Sequence, residues 1–359
     1  MSKSSNFYAV ILSGGSGERF WPLSTPERPK QFLTVFGGKS LLRQAVERLK
    51  GLVPPERVIV VTAESLVKAT RSELPELPQA NIVAEPCRRD TAAAIATACG
   101  VVEGRGGADA VAAVLTADQV MRDVPAFRRV LADAARAAAK TYDIVTMGVA
   151  PDYPATGFGY IHVGKPVDLG TKTVFARAVK FVEKPDAKTA RRYLASKQYV
   201  WNAGMFVWRV ATMKAALVKG APALAILEAS VAAARSARGV HKVMSTYYPQ
   251  LPKISIDYAV MEKATNILVS SGAFGWDDVG TWTSADKHLA TDAQRNVAMG
   301  KVATLDVSDS IVLSTGPQVA ALGVKDVVVV ATKDSVLVAD KSRVQDLKKL
   351  LAKLNANGA

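Results

Sequence analysis

Thiol and imidazole side chains are scarce in this chain. Its 359 residues include only two cysteines, Cys87 and Cys99, and three histidines, His162, His241 and His288. Two cysteines without a CxxC pair exclude a disulfide framework, and we interpret them as reduced thiols of a cytoplasmic protein. The three histidines show no catalytic-triad pattern, so general-base chemistry of that kind is not indicated.

Long apolar runs are also missing. No segment approaches the roughly 18 consecutive apolar residues that a membrane-spanning helix needs. The first apolar segment, Phe7–Leu12, is short and leads into glycines rather than into a cleavage site. We therefore predict no signal peptide and no membrane association. Apolar residues still make up 49% of the chain, which is sufficient for a large core.

Positive charge is abundant, with a formal net charge of +14. Such a surplus suits polyanionic partners, which include nucleic acid, anionic membranes and small phosphorylated substrates. The basic residues are scattered, with neither a lysine-rich tail nor an arginine run interleaved with aromatics. This distribution disfavours nucleic acid as a partner.

Short apolar segments alternate with amphipathic ones over the first 150 residues. This pattern predicts an α/β fold in which a parallel sheet is covered on both faces by helices. Ligands of such sheets bind at the carboxyl ends of the strands, so Gly14–Arg19 and Asp118 can share one site. The predicted strands are Phe7–Leu12, Arg57–Thr62, Ala110–Leu115 and Asp143–Val149; the predicted helices are one capped by Ser40, Thr91–Val102 and Val124–Ala139.

The pattern of apolar and polar residues changes after about Asn296. Short β-rich pieces follow, and Val344–Leu354 has the apolar periodicity of a closing amphipathic helix. We therefore predict two domains, residues 1–290 and residues 296–359. The predicted C-terminal strands are Lys301–Val307, Ser310–Leu313, Val319–Leu322, Asp326–Ala331 and Ser335–Ala339.

A glycine-rich segment from Ser13 to Gln31 carries the strongest chemical signal. Glycines let a backbone approach phosphates closely, and Arg19 and Lys30 add positive charge to the loop. The segment lacks the third glycine of a dinucleotide fingerprint. The later Gly38-Lys39-Ser40 is not a phosphate loop of the Walker type either, because Leu33 stands where its first glycine belongs.

The stretch LSGGSGERFWPLSTPERPKQFL, which begins at Leu12, resembles the signature of nucleotidyltransferases that make nucleoside-diphosphate sugars. More narrowly, it resembles the mannose-1-phosphate guanylyltransferase family. Six further segments match that family in order, and the resemblance as a whole runs from about Phe7 to the C-terminus. They are Glu85-Pro-Cys-Arg-Arg-Asp-Thr-Ala-Ala-Ala-Ile, Thr156-Gly-Phe-Gly-Tyr-Ile, Phe181-Val-Glu-Lys-Pro-Asp, Trp201-Asn-Ala-Gly-Met-Phe, Ser255-Ile-Asp-Tyr-Ala-Val-Met-Glu-Lys and Gly275-Trp-Asp-Asp-Val-Gly-Thr-Trp.

The resemblance implies a Rossmann-like nucleotidyltransferase domain with a mixed, mostly parallel sheet. It also implies a small C-terminal β module, similar to a left-handed β-helix, with a closing helix. The implied reaction transfers a guanylyl group from GTP to α-D-mannose 1-phosphate, giving GDP-mannose and pyrophosphate with Mg²⁺ as cofactor. A homodimer is compatible with the family. Because the chain ends at Ala359, we expect no isomerase domain of the kind that longer relatives carry.

The resemblance also implies roles for individual residues. The nucleotide site would contain Ser13, Gly14, Gly15, Gly17, Glu85, Arg89, Asp90 and Thr91. Arg19, Lys30 and Lys184 would act in catalysis, and Asp118 and Asp278 would bind the metal. The sugar phosphate would meet Gly157, Gly159, Glu183, Lys184 and Asn202. Taken alone, an aspartate after a strand is more often a turn residue, and we give Asp277 that interpretation.

The chain departs from the family pattern at Thr116, where the family usually has proline, and at two further positions. Gln119 replaces a histidine after Asp118, and Asp90 replaces an asparagine, so a carboxylate there can accept from a guanine amino group but cannot donate. The sequence therefore indicates the type of reaction more closely than it indicates which nucleotide base the enzyme prefers. The alternatives are another sugar 1-phosphate or nucleotide, and a non-catalytic regulatory homologue that binds sugar nucleotides. The presence of all five charged catalytic and metal residues favours an enzyme.

Overall fold

The structure is a computed structural model that describes residues 6–15 and 17–357. The chain divides into two compact units. The first contains residues up to Gly14 together with Ala45–Ala117 and Met121–Trp276. The second contains Gly15–Gln44, Asp118–Val120 and the residues from Asp277 onward. This division groups residues that pack compactly together, and it places Gly15–Gln44 in the same unit as the C-terminal strands. It does not test the predicted domains, residues 1–290 and residues 296–359, which stay a prediction.

Strands and helices alternate much as the sequence predicts. The strands are β1 Phe7–Ser13, β2 Val58–Ala63, β3 Ile82–Glu85, β4 Val111–Thr116, β5 Val120–Met121, β6 Ile144–Val149, β7 Tyr160–Val167, β8 Phe175–Val182, β9 Tyr199–Arg209, β10 Ile267–Ser271, β11 Trp276–Asp277, β12 Val297–Leu305, β13 Ile311–Leu322, β14 Val327–Ala331 and β15 Val336–Asp340. The helices are α1 Leu41–Glu47, α2 Val67–Glu73, α3 Asp90–Gly106, α4 Val124–Thr141, α5 Ala187–Ser196, α6 Val210–Gly220, α7 Pro222–Ala233, α8 Ala237–Tyr247, α9 Ala285–His288 and α10 Leu347–Asn357.

The first unit is built on a sheet that has nine strands in the described residues, in the order β3-β2-β1-β4-β9-β6-β10-β8-β7. Seven of these nine run in one direction, and β8 and β9 run in the other. The predicted mixed, mostly parallel sheet is therefore confirmed. Strands β1, β2 and β4 are apolar on both faces because helices cover both sides.

Helix α3 is buried from Ala92 to Val102 because small side chains let its neighbours approach closely. A Cβ atom added to Gly100 would lie 2.4 Å from the carbonyl oxygen of Glu228 in α7. Cys99, on the same helix, is buried, and neither it nor Cys87 forms a disulfide. None of the helices among residues 6–15 and 17–357 is long and apolar enough to cross a membrane.

The second unit contains a sheet of four strands in the described residues, in the order β12-β13-β14-β15. The first three strands are parallel and β15 is antiparallel to β14. Its core joins apolar side chains of this sheet, such as Ile311 and Leu313, to Phe20 and Trp282. The rings of Phe20 and Trp282 meet at a centroid distance of 5.1 Å. The segment that follows the glycine loop is thus part of this core.

Strand β13 differs from the prediction. The sequence predicts two strands, Ser310–Leu313 and Val319–Leu322, but one strand runs from Ile311 to Leu322. Its two halves pair with β12 on either side of a register shift between Gly300 and Val302. This irregularity accommodates Pro317, which has no N–H to donate, so the proline does not end the strand.

Candidate active site

In the first unit, the start of the glycine loop lies at the carboxyl end of β1. The carbonyl oxygen of Ser13 accepts a hydrogen bond of 3.0 Å from Thr62 Oγ1 on the neighbouring strand β2. A Cβ atom added to Gly14 would lie 3.0 Å from Glu85 Oε2, at the end of β3. Parallel strands bring their carboxyl ends to one edge. Ser13, Gly14 and Glu85, which the sequence predicts to bind nucleotide, are therefore neighbours.

Glu85 has a partner that the sequence did not indicate. The hydroxyl group of Tyr248 donates a hydrogen bond to Glu85 Oε1. Burial raises the pKa of Glu85, and this hydrogen bond offsets part of the rise. Tyr248 is itself fully buried and lies in none of the family-like segments. It holds the Glu85 carboxyl group in one orientation.

The predicted nucleotide residues at the start of α3 have two kinds of contact. Arg89 Nε donates to the carbonyl oxygen of Tyr248 at 3.3 Å, and its Nη2 donates to the carbonyl oxygen of Pro249. Thr91 Oγ1 accepts from the backbone N–H of Ile256 at 3.0 Å. Both side chains therefore fasten residues 248–256 to α3. Asp90, by contrast, is exposed, with a φ of 65°.

In the second unit, Gly17 is packed against Lys30. Gly17 has a φ of 59°, and an added Cβ atom would lie 2.3 Å from Lys30 Cβ. No other side chain could replace this glycine without moving the lysine. Gly15 has open space at the corresponding position, and Arg19 is exposed. Ser16, between these glycines, lies outside the described residues.

Lys30 connects the two aspartates that the sequence predicts as metal ligands. Its side chain is only 8% exposed, and Nζ donates to Asp118 Oδ2 at 3.0 Å and to the carbonyl oxygen of Asp278 at 2.6 Å. A buried ammonium group needs such partners. The structure therefore brings Lys30, Asp118 and Asp278 together, although they are far apart in the chain.

Burial and several nearby charges act on the Asp278 carboxyl group. Burial raises its pKa, Lys30 lowers it, and the negative charges of Asp118 and Asp277 raise it further. A side-chain hydrogen bond from Gln119 opposes the rise. Gln119 is buried, so the residue that departs from the family pattern lies directly against a predicted metal ligand. An amide at this position makes a hydrogen bond whose donor does not titrate.

Asp277 is a turn residue, as the sequence predicts. Its Oδ1 accepts from the backbone N–H of Val279 at 2.7 Å, and its Oδ2 lies 3.1 Å from His288 Nε2. Val279 has a φ of 48°, which is unusual for a β-branched side chain and costs conformational energy. The turn thereby fixes the backbone on both sides of Asp278.

The predicted sugar-phosphate residues cluster within the first unit. Lys184 Nζ donates to Glu183 Oε1 at 2.5 Å, and the backbone N–H of Asn202 donates to the carbonyl oxygen of Gly159 at 2.8 Å. A Cβ atom added to Gly159 would lie 2.5 Å from Glu183 Oε2. Burial alone would lower the pKa of Lys184, but its bond to Glu183 raises the pKa overall. Gly157 faces open space.

Asp257 belongs to this cluster but was not predicted to do so. Its Oδ1 accepts from Asn202 Nδ2 at 3.1 Å. Burial and the negative charge of Glu183 raise its pKa to about 6. It begins a π-helical turn, Asp257–Met261, a geometry that is frequent at functional sites. The available signal was its place in the segment Ser255–Lys263, where no role had been assigned to it.

Asp257→Asn is expected to stabilise the protein at neutral pH. The folded state binds a proton at Asp257 up to about pH 6, whereas the reference pKa is 3.8, so stability falls as pH rises through this interval. The variant should be more stable than the parent by about 1–2 kcal/mol at pH 7.5 and similar to it near pH 4. Urea unfolding at both pH values measures this difference. An equal stability difference at the two pH values would contradict it, and the exposed Asp334→Asn is the control.

The fold and the site together define a nucleotidyltransferase. A family model described as "Nucleotidyl transferase" matches residues 8–295. A second, described as "MannoseP isomerase/GMP-like beta-helix domain", matches residues 300–354. The predicted catalytic fold and C-terminal β-helix module are thereby confirmed.

Individual relatives identify the family to which the chain belongs within the nucleotidyltransferases. A mannose-1-phosphate guanylyltransferase of Escherichia coli (strain K12) is 38% identical over 99% of this chain and 74% of its own length. The alginate biosynthesis protein AlgA of Pseudomonas aeruginosa is 38% identical over 97% of this chain and 72% of its own. A crystal structure from Thermus thermophilus, described as a mannose-1-phosphate geranyltransferase, superposes with a TM-score of 0.86 at 35% identity, covering 98% of this chain and 99% of that one. The chain belongs to the mannose-1-phosphate guanylyltransferase family.

Proposed function

We propose that this protein transfers a guanylyl group from GTP to α-D-mannose 1-phosphate, giving GDP-mannose and pyrophosphate. The observation that carries the proposal is the Lys30–Asp118–Asp278 cluster, because a buried ammonium beside two carboxylates suits chemistry on a phosphate. The activity printed for the E. coli relative, at 38% identity, supports the choice of substrates.

Magnesium is part of the proposal, and the residues present suit it. Mg²⁺ uses oxygen ligands and needs only one or two protein carboxylates when it binds together with a phosphate. Asp118 and Asp278 supply two, and their mutual repulsion, which raises the pKa of Asp278, would be relieved by a cation. No cluster of three or more potential metal ligands occurs in the described part of the chain, which fits a metal shared with substrate. When bound, Mg²⁺ would withdraw negative charge from the phosphate oxygens.

The protein groups would act by positioning and by neutralising charge. The sugar phosphate oxygen is already an anionic nucleophile, so in-line attack at the α-phosphorus needs no general base. Lys30 and Arg19 would stabilise the charge on the transferred group and on the departing pyrophosphate. Lys184 would hold the phosphate of the sugar, with Glu183, Asn202 and the backbone at Gly157 and Gly159 binding sugar hydroxyl groups.

The nucleotide would meet the backbone of the glycine loop. Ser13, Gly14, Gly15 and Gly17 would face its phosphates, while Glu85 and Asp90 would accept hydrogen bonds from the base. Arg89 and Thr91 would complete the nucleotide site, and their contacts with residues 248–256 would fix the positions of both side chains there.

A cytoplasmic location and a homodimer belong to the same proposal. The unpaired Cys87 and Cys99 suit a reducing compartment. The exposed apolar side chains of Leu305, Leu322 and Val338 suit an interface with a second copy. Sedimentation equilibrium would report the oligomeric state directly.

The test is pyrophosphate release across four nucleoside triphosphates and several sugar 1-phosphates, with and without Mg²⁺. We expect the highest kcat/KM for GTP with mannose 1-phosphate, and release that depends on a divalent cation. Release with a different pair would reassign the substrates but keep the reaction. No release with any pair, combined with retained sugar-nucleotide binding, would instead identify a regulatory homologue.

A further inference from the structure

A cleft of about 690 Å³ lies in the first unit, at the outer edge of β3 and between α2, α3 and α8. Its volume falls within the range of small-molecule sites. None of the residues discussed above as binding nucleotide, sugar or metal lines it. The cleft is therefore separate from every site that the proposed reaction uses.

The lining of this cleft carries charge of one sign. Arg71, Arg105 and Arg235 line it together with His241, and no aspartate or glutamate of the described part of the chain does. Within residues 6–15 and 17–357, none of these three guanidinium groups forms an ion pair with a carboxylate. The charge of the cleft is complementary to an anion.

Arg105 is a fixed part of the wall. Its Nη1 donates to Asn81 Oδ1 at 2.7 Å and its Nη2 to the carbonyl oxygen of Ala80 at 2.9 Å. Asn81 is 2% exposed and donates in turn to the carbonyl oxygen of Val58 at 2.7 Å. Burial lowers the pKa of Arg105, and the two acceptors of its hydrogen bonds are neutral. An anionic ligand would supply the missing counter-charge.

The remaining walls of the cleft suit a ligand that is apolar over most of its surface and polar along one edge. Val67, Ala237 and Val240 contribute accessible apolar surface, and the buried side chains of Val101, Val231 and Met244 complete the lining. Within residues 6–15 and 17–357, strand β3 ends the sheet and pairs with β2 alone, so alternate backbone N–H and C=O groups along its outer edge have no strand partner there. These groups could bind the edge of a heterocyclic ring.

We propose that the cleft binds a small molecule with a phosphate group on a flat apolar ring system, the chemistry of a nucleoside phosphate. The guanidinium groups bind the phosphate, and the apolar side chains with the β3 backbone bind the ring. A ligand here touches the two elements that lead to the Glu85–Tyr248 hydrogen bond, because β3 ends at Glu85 and α8 leads to Tyr248. Binding in the cleft therefore acts on the segment proposed to hold GTP.

The test measures binding of AMP by calorimetry with GTP present at a saturating concentration, so that the substrate site is occupied. The double variant Arg71→Gln/Arg235→Gln removes two exposed cations of the cleft. Lys68→Gln/Arg238→Gln is the matched control, since it removes two exposed cations from the same helical regions outside the lining. Ala237→Phe fills the cleft without changing charge. Adenosine, the same ring without phosphate, is the second probe.

We expect AMP to bind the parent protein and adenosine to bind at least about tenfold more weakly, because it lacks the charged group. The Arg71/Arg235 double variant should weaken AMP binding at least about tenfold, the matched control should leave it within about twofold, and Ala237→Phe should remove it. The proposal is overturned if AMP does not bind the parent, if the two double variants bind it equally, if Ala237→Phe binds it unchanged, or if adenosine binds as well as AMP.

Discussion

Asp118→Asn is expected to lower turnover at least about a hundredfold while the protein stays folded. The asparagine can still accept the hydrogen bond from Lys30, so the buried ammonium keeps a partner and the loss of unfolding free energy should be about 1 kcal/mol. The negative charge proposed to bind the metal is lost, and charge stabilisation of this kind dominates phosphoryl chemistry. Steady-state pyrophosphate release and urea unfolding measure the two effects.

The control for this variant is Asp109→Asn, which removes an exposed carboxylate that lies far from the proposed chemistry. A raised requirement for Mg²⁺ in Asp118→Asn, measured as the concentration that gives half-maximal rate, would support metal binding at this position. Unchanged turnover in Asp118→Asn would refute the metal assignment, whatever its stability.

Gly17→Ala is expected to impair the protein through Lys30. The backbone conformation costs an alanine about 1–2 kcal/mol, and the added Cβ atom would lie 2.3 Å from Lys30 Cβ and 2.5 Å from its backbone nitrogen. Either the glycine loop or Lys30 must therefore shift, which disturbs the position of the Lys30 side chain beside Asp118 and Asp278. We expect turnover to fall at least about tenfold, because small displacements of a catalytic group are costly.

The control for Gly17→Ala is Gly170→Ala, which separates the effect of backbone strain from the effect of displacing Lys30. Gly170 has a φ of 66° and no atom within 4 Å of an added Cβ, so this variant carries the conformational cost alone. It should lower the melting temperature by a few degrees and leave turnover unchanged. If Gly17→Ala lost no more activity than Gly170→Ala, close packing of Gly17 on Lys30 would have no catalytic importance.

The sequence alone was sufficient to predict the helices and strands that depend on local patterns. Ser40 caps α1 as predicted, with its Oγ atom accepting from the backbone N–H of Arg43 at 2.9 Å. Strands β1 and β4 and helices α3 and α4 lie within a few residues of the predicted positions. Strand β13 was predicted as two strands, since Gly316-Pro317 is a local break signal. Pairing with β12 around an irregularity overrides that signal.

Sites that depend on distant contacts were only partly predictable. Lys30 and Asp278 lie in recognisable segments and Asp118 follows a predicted strand, so the sequence indicates all three, but the ammonium that joins them is a tertiary feature. The Tyr248 contact was not predictable from local patterns, because Tyr248 lies in no recognisable segment and its partner Glu85 is 163 positions away. Asp257 was missed because its raised pKa arises from burial beside Glu183.

By itself, the sequence determined the reaction class and the alternation of strands and helices, and it predicts that the loop from Ser13 to Gln31 binds phosphate. These depend on glycine content, on the order of short motifs and on periodicity, all of which are properties of neighbouring residues. Only the tertiary structure decided that Gly17 must be a glycine because of Lys30, that Arg89 and Thr91 hold residues 248–256, and that three arginines share one cleft. Each of these depends on close packing between segments far apart in the chain, which local propensity does not encode.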